Sequence, residues 1–244
     1  MKKLSIIIPA FNEDKTILKV LNRIDATRSN KIDYEIVVIN DASTDSTIDI
    51  LKANSHLYNQ LISNKKNQGK GGAVKIGIEN ATGDYIIFQD ADLEYDPKDI
   101  EKFINVFLEF DADAILGSRF SYDRYTKSHN FYNKIGNKII TLVFNILYNT
   151  TFMDIYSCYL CFKKNLIISS ELKTTGFEQH AEILTKIISN SKNHFEVPIN
   201  YNGRSISEGK KIRWYHVFSV IKEIIRGKFI SVSYTHLTLP TKRI

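Results

Sequence analysis

At 244 residues, 43% hydrophobic and 25% charged, the chain has an ordinary globular composition, large enough for one substantial α/β domain and little else. That composition excludes a disordered chain, and no apolar run reaches the length of a membrane span: the most apolar stretch, residues 139–147, is about half of one, and the first residues enter a strand rather than a signal peptide, as expected of a cytosolic protein. The net charge of +6 is local, because residues 201–228 hold seven basic and two acidic residues while residues 1–200 hold 24 and 25, which points to a local anionic partner and away from nucleic acid.

In chain order, residues 4–8 form an apolar run closed by Pro9 and read as a buried first strand. The polar turn Asn12-Glu13-Asp14 opens a helix in which Ile17, Val20, Leu21 and Ile24 recur at helical spacing. Residues 34–39 read as a second strand, followed by a cluster at 40–46 rich in helix-capping side chains. Residues 60–63 form a short third strand, then come a loop to Lys70, a helix over about 71–80, and a strand over 85–88. This alternation predicts a mostly parallel sheet with helices on both faces, whose ligands bind outside the carboxyl ends of the strands.

Asp90 and Asp92 follow the strand at 85–88. In extended backbone, side chains two apart point the same way, so both carboxylates would face one ligand, and a divalent cation shared with substrate phosphates would relieve their repulsion. The competing reading is that both merely open the turn before Asp96-Pro97. Pro9 to Glu13, Asp41 and residues 67–70 fall in loops at the same sheet edge, which favours a site.

The second half is less regular. A helix is expected over 97–109, a strand over 114–117 ending in Ser118-Arg119-Phe120, a helix over 133–147, a strand over 159–162, a helix over about 178–189 and a strand over 195–199. Trp214, Val217, Phe218, Ile221, Ile224 and Ile225 then share helical spacing in a final helix that carries Arg213, Lys222 and Arg226 elsewhere on its circumference. Two placements stay open for it: on a membrane surface, or packed on the protein's own core. Cys158 and Cys161 form a lone CxxC without further zinc ligands and read as buried thiols. Residues 232–244 resemble a translated sequencing adapter, which leaves 1–231 as a single domain, with 31 basic and 27 acidic residues.

With these residues placed, the chain resembles glycosyltransferase family 2 of the glycosyltransferase-A fold, particularly its polyprenyl-phosphate sugar synthases. The motifs are residues 8–13 (IPAFNE), 67–71 (NQGKG), 83–95 with the two aspartates, 117–120 (GSRF), 176–178 with Glu182, 196–199 (EVPI), and 201–204 with 208–212. The resemblance implies a donor half over 1–95 and an acceptor half over 96–231. It further implies that Pro9, Phe11, Glu13 and Asp41 contact the base and ribose of a nucleotide-sugar, with Lys70 near that pocket. Asp90 and Asp92 would hold Mg²⁺ or Mn²⁺ on the diphosphate, and Arg119 and Arg204 would bind the phosphate of a polyprenyl-phosphate acceptor. Two departures stand out. Asn40-Asp41-Ala42 replaces the family's aspartate pair and glycine, and Met153-Asp154 replaces its Thr-Asp, which keeps Asp154 as a candidate site residue.

The expected activity is inverting transfer of a sugar from a GDP-mannose or UDP-hexose type donor to the lipid phosphate, by a protein in the cytoplasm or peripheral at the inner face of the cytoplasmic membrane. A hydroxyl acceptor in glycan synthesis is the alternative, with Asp154, Glu178 or Glu182 as the base to test. A degenerate nucleotide-sugar-binding module is the non-enzymatic one.

Overall fold

The computed structural model describes residues 1–121, 131–204 and 216–237, with the side chains of 230–237 left outside the description. Seven strands form one sheet: β1 (Lys3–Ala10), β2 (Asp33–Asn40), β3 (Gln60–Ser63), β4 (Tyr85–Phe88), β5 (Ala114–Ser118), β6 (Leu160–Lys163) and β7 (His194–Pro198). Their order across the sheet is β3-β2-β1-β4-β6-β5-β7. Seven α-helices connect or cover them: α1 (Ile17–Asp25), α2 (Thr47–Ala53), α3 (Gly69–Asn80), α4 (Ile100–Phe110), α5 (Phe131–Tyr148), α6 (Gln179–Asn190) and α7 (His216–Leu237).

Burial on both faces explains the unbroken apolar runs. Along β1, Leu4, Ile6 and Ile8 enter one core with residues of α1 and α4, while Ile7 enters the other with residues of α3, α5, α6 and α7. β2 and β4 divide the same way, Ile36 and Val38 against Val37 and Ile39, and Tyr85 and Ile87 against Ile86 and Phe88. Each such fully buried side chain contributes about 1.5–3 kcal/mol.

One feature departs from the expected alternation. β6 is inserted antiparallel between β4 and β5, pairing Ile87 with Cys161 and Leu116 with Leu160. Strand direction leaves no mark in a four-residue strand buried on both faces, because its side chains alternate identically either way. The other pairings, β1 with β2 and β4, β2 with β3, and β5 with β7, are parallel as expected.

One face of α7 packs on the protein's own core, the second of the placements considered for the final helix. Val220 and Ile224 are fully buried against α5 and α6, whereas Phe218, Ile225 and Phe229 are exposed. Arg213, Trp214 and the basic pair Lys210-Lys211 lie outside the described residues, as do 122–130. Among the described residues no helix is long and apolar enough to cross a membrane.

Candidate functional site

The carboxyl ends of β1, β2 and β4 open onto a cavity of about 680 Å³. Pro9, Phe11, Glu13, Asp41, Lys70, Asp90, Asp92, Arg119 and Arg204 all line it, whereas Asp154 and the other two candidate bases, Glu178 and Glu182, do not. Local chemistry explains how the loops meet there. Asn12, at φ +56°, turns the chain after β1, accepts from Thr44 N at 2.8 Å and donates its own N–H to Ser43 Oγ at 3.1 Å. Asp41 Oδ1 accepts from Asn64 Nδ2 at 2.7 Å and Gln68 N at 2.9 Å, so this carboxylate shapes the glycine-rich loop as well as the wall.

That loop enters α3 at Gly69, two residues before the expected start. Gly71 N donates to Thr175 O at 3.0 Å, and a Cβ on Gly71 would stand 2.6 Å from the Thr175 backbone. Only glycine permits this approach, which seats residues 175–177 on the cavity wall. Gly71→Ala is therefore expected to push residues 175–177 off the wall and to lower the melting temperature by a few degrees. Thermal melts of the two proteins would check this.

The aspartates reach the cavity differently from the strand geometry expected. β4 ends at Phe88, and Asp92 sits in a turn in which Glu94 N donates to Asp92 Oδ1 at 3.0 Å and Leu93 adopts φ +63°. The fully buried Gln89 holds this turn: its Nε2 donates to Asp90 O and Tyr95 O at 3.2 and 3.3 Å, and its Oε1 accepts from Tyr159 OH at 3.0 Å. The cap before Pro97 belongs to Asp96, whose side chain accepts from Lys98 N at 3.2 Å. Asp90 and Asp92 are thus left to the cavity.

Charge at the site is crowded. Five carboxylates (Glu13, Asp41, Asp90, Asp92, Glu94) and three permanent cations (Lys70, Arg119, Arg204) line the described cavity. Burial, then the charges of Asp90 and Glu94, push the Asp92 carboxyl up to about 7. Lys70 Nζ lies 2.6 Å from Asp90 Oδ1; burial works against its charge, but Asp90, Cys158 and Asp92 together outweigh burial and hold the ammonium. Arg204 donates through Nη2 to Glu13 Oε2 and to Asp92 O, both at 2.9 Å, and its Nη2 is 3.9 Å from Asp92 Oδ2. A donor set of two clustered carboxylates in need of positive charge fits a hard divalent ion whose remaining ligands come from phosphate oxygens. Among the described residues no group of three or more metal-type side chains exists to cage an ion by itself.

Arg119 is tightly committed. Its Nε and Nη2 form a fork on Asp154, at 2.7 and 2.8 Å, Nη2 also donates to Tyr156 O at 3.1 Å, and Arg119 N donates to Asp154 Oδ2 at 3.0 Å. Asp154 is fully buried behind the arginine. The arginine also stacks at 5.2 Å over the ring of Tyr201.

Of the other wall and support residues, Glu94 carried little signal in the sequence. Glu94 accepts from Tyr201 OH at 2.7 Å and Arg204 N at 2.8 Å, fastening the segment after β7 to the Asp92 turn. Its only mark was its place two residues after Asp92. Glu182 accepts from Lys173 N at 2.9 Å and Thr174 N at 2.8 Å, and Glu178 precedes α6 beside Gly176. Both CxxC cysteines are free, and burial raises both thiols.

His180 is buried with Nε2 3.1 Å from Ile155 O. Burial, then the Lys70 charge, push it down to about 4, with Ile155 O and Asp154 opposing and Arg119 adding to the fall. The unfolded chain takes up this proton first, so the stability His180 confers is complete above about pH 6.5 and lost as pH falls toward 4, up to ~3 kcal/mol. His180→Gln is expected to flatten that part of the acid limb in urea titrations.

A model described as "Glycosyl transferase family 2" matches residues 5–167. The chain is 30% identical over 227 residues to a "Dolichol-phosphate mannosyltransferase" of Pyrococcus furiosus, covering 92% of this chain and 63% of the relative. It is 28% identical to "Low-salt glycan biosynthesis hexosyltransferase Agl6" of Haloferax volcanii, covering 88% and 52%. The chain thus spans between about half and two-thirds of these relatives. Among solved structures, glucosyl-3-phosphoglycerate synthase from Mycobacterium tuberculosis in complex with Mn²⁺, uridine diphosphate and phosphoglyceric acid superposes at TM-score 0.67 and 16% identity, covering 94% of this chain and 78% of that one. S. aureus TarS 1-349 in complex with UDP superposes at 0.60 and 17%, covering 98% and 76%. These likenesses bear out the glycosyltransferase-A fold, and the match over residues 5–167 places the chain in glycosyl transferase family 2.

Proposed function

We propose that the chain is an inverting, divalent-metal-dependent transferase that moves a sugar from a nucleotide-diphosphate sugar, of the GDP-mannose or UDP-hexose type, to a polyprenyl phosphate. The observation that carries this reading is a single cavity lined both by Asp90, Asp92 and Lys70 and by Arg119 and Arg204. In it, Pro9, Phe11, Glu13 and Asp41 receive the base and ribose, and the arginines receive the acceptor phosphate. Mg²⁺ or Mn²⁺ held by Asp90 and Asp92 would neutralise the departing diphosphate. The Pyrococcus furiosus relative, named for dolichol phosphate and mannose, supports the lipid acceptor.

A phosphate monoester with a second pKa of about 6 is largely ionised at neutral pH and needs no base. Its oxygen attacks the anomeric carbon opposite the diphosphate, and the bond to the diphosphate oxygen breaks with its electron pair. Lys70 and Arg204, now on Asp90 and Glu13, are placed to follow negative charge onto the phosphates. Two of the three acids considered for a hydroxyl acceptor are engaged elsewhere: Asp154 holds Arg119, and Glu182 holds the amides of Lys173 and Thr174.

We infer that the protein sits at the inner face of the cytoplasmic membrane, through the exposed Phe218, Ile225 and Phe229 of α7 and the exposed Ile139, Leu142 and Ile146 of α5. The deciding experiment incubates purified protein with Mn²⁺, nucleotide-sugars and either polyprenyl phosphate or an oligosaccharide. Transfer to the lipid phosphate is expected; transfer to the saccharide alone would overturn the acceptor.

A further inference from the structure

Glu196 lies on β7, opposite Leu116 of β5, outside the cavity wall. Its carboxylate accepts from Met153 N at 3.0 and 2.9 Å and from Asp154 N at 2.9 Å. Asp154 in turn accepts from both the side chain and the backbone N–H of Arg119. Hydrogen bonds therefore run from β7 through the Met153-Asp154 turn to the cavity's most buried cation, and the Ser118 hydroxyl, on the residue before Arg119, also lies against Glu196.

The ends of that turn are fastened independently. Asn145 of α5 accepts from Phe152 N at 3.1 Å and donates to Phe152 O at 2.8 Å, and Thr141 Oγ1 accepts from Ile155 N at 3.3 Å. Of this turn, Glu196 holds the middle, including the residue that carries the carboxylate on Arg119. Setting Glu196 close behind Asp154 brings two like charges together, and burial, with Asp154 adding, pushes the Glu196 carboxyl up. A neutral acceptor would hold two amides without that repulsion, so this charge is spent where it fixes an arginine.

We propose that Glu196 is a positioning residue for Arg119, acting through the Met153-Asp154 turn, and thereby tunes recognition of the acceptor's anionic group. The second part rests on the acceptor reading above. Because the turn keeps its α5 anchors, Glu196→Ala is expected to fold and to loosen Arg119 without touching the donor side.

The test uses Glu196→Ala, Glu196→Gln, Arg119→Ala and the Ala double variant, with three readouts. Farnesyl monophosphate binding by calorimetry should weaken about tenfold in Glu196→Ala, and the double variant should bind no worse than Arg119→Ala. UDP or GDP with Mn²⁺ should bind within about twofold of wild type. Phenylglyoxal modification of Arg119, followed by peptide mass spectrometry without any ligand, should accelerate several-fold in Glu196→Ala and less in Glu196→Gln, whose amide oxygen still accepts. Unchanged Arg119 reactivity, losses that multiply in the double variant, or an equal loss of nucleotide binding would each overturn the positioning role. Wild type that binds nucleotide but no farnesyl phosphate would sink the acceptor reading alone, since arginine reactivity still decides the role of Glu196. If Glu196→Ala does not fold, Glu196→Gln carries the test, and wild-type Arg119 reactivity in it counts against the proposal.

Discussion

Asp90→Asn and Asp92→Asn are each expected to lower sugar transfer by about three orders of magnitude while leaving the fold intact. In the proposed reaction two anions meet, a diphosphate-bearing donor and a phosphate acceptor, in a cavity whose described carboxylates already outnumber its cations. An asparagine keeps the shape but removes the charge that would hold a divalent ion there. Stability should move the other way for Asp92. Its carboxylate is buried against Asp90 and Glu94, so neutralising it relieves repulsion, and the metal-free Asp92→Asn protein should melt a few degrees higher than wild type. Paired Mn²⁺-binding and thermal-melt measurements check both signs. A variant that lost activity and also melted lower would mean that Asp92 serves the fold.

Asp154→Ala carries the largest expected cost in stability, about 3–5 kcal/mol, because it strands a guanidinium only 11% exposed without its counter-ion. Denaturant titration measures it directly. Arg119→Lys should also fail, since a point charge cannot reproduce the fork on Asp154 or the stack on Tyr201. A joint Arg119→Met and Asp154→Leu replacement separates the two roles. It is expected to recover most of the lost stability, because no charge is left unpaired, and none of the activity. Recovery of activity as well would show that Arg119 has no part in binding the acceptor.

These effects divide along what the sequence could reveal. β1, β2 and β4 were legible because burial on both faces demands unbroken apolar runs, and the loops after them because capping and turn residues concentrate there. The aspartates were found through a strand argument that the fold does not use: a turn held by Gln89 and Tyr159, 70 residues apart, brings them to the cavity. Nothing local in the sequence links those two residues. The pairing of Asp154 with Arg119, and the support of both by Glu196, joins three separate stretches, and a tertiary ion pair leaves no spacing to read. The motifs named Arg119, Asp154 and Glu196 separately, but not that they touch. Glu94 was hidden differently, inside a recognised motif and overshadowed by the aspartates beside it.

The antiparallel insertion of β6 also bears on the order in which the molecule can assemble. β1 to β4 are complete by Phe88, with every pairing among them available, so the strand ends that would cradle a nucleotide can form early during synthesis. The outer edge of β4, Tyr85-Ile86-Ile87-Phe88, stays unpaired until Leu160–Lys163 emerges. Over that interval a short, uncharged, β-prone edge is open to strands of other chains. The late strand that joins the two flanks of the sheet is therefore also its guard against aggregation.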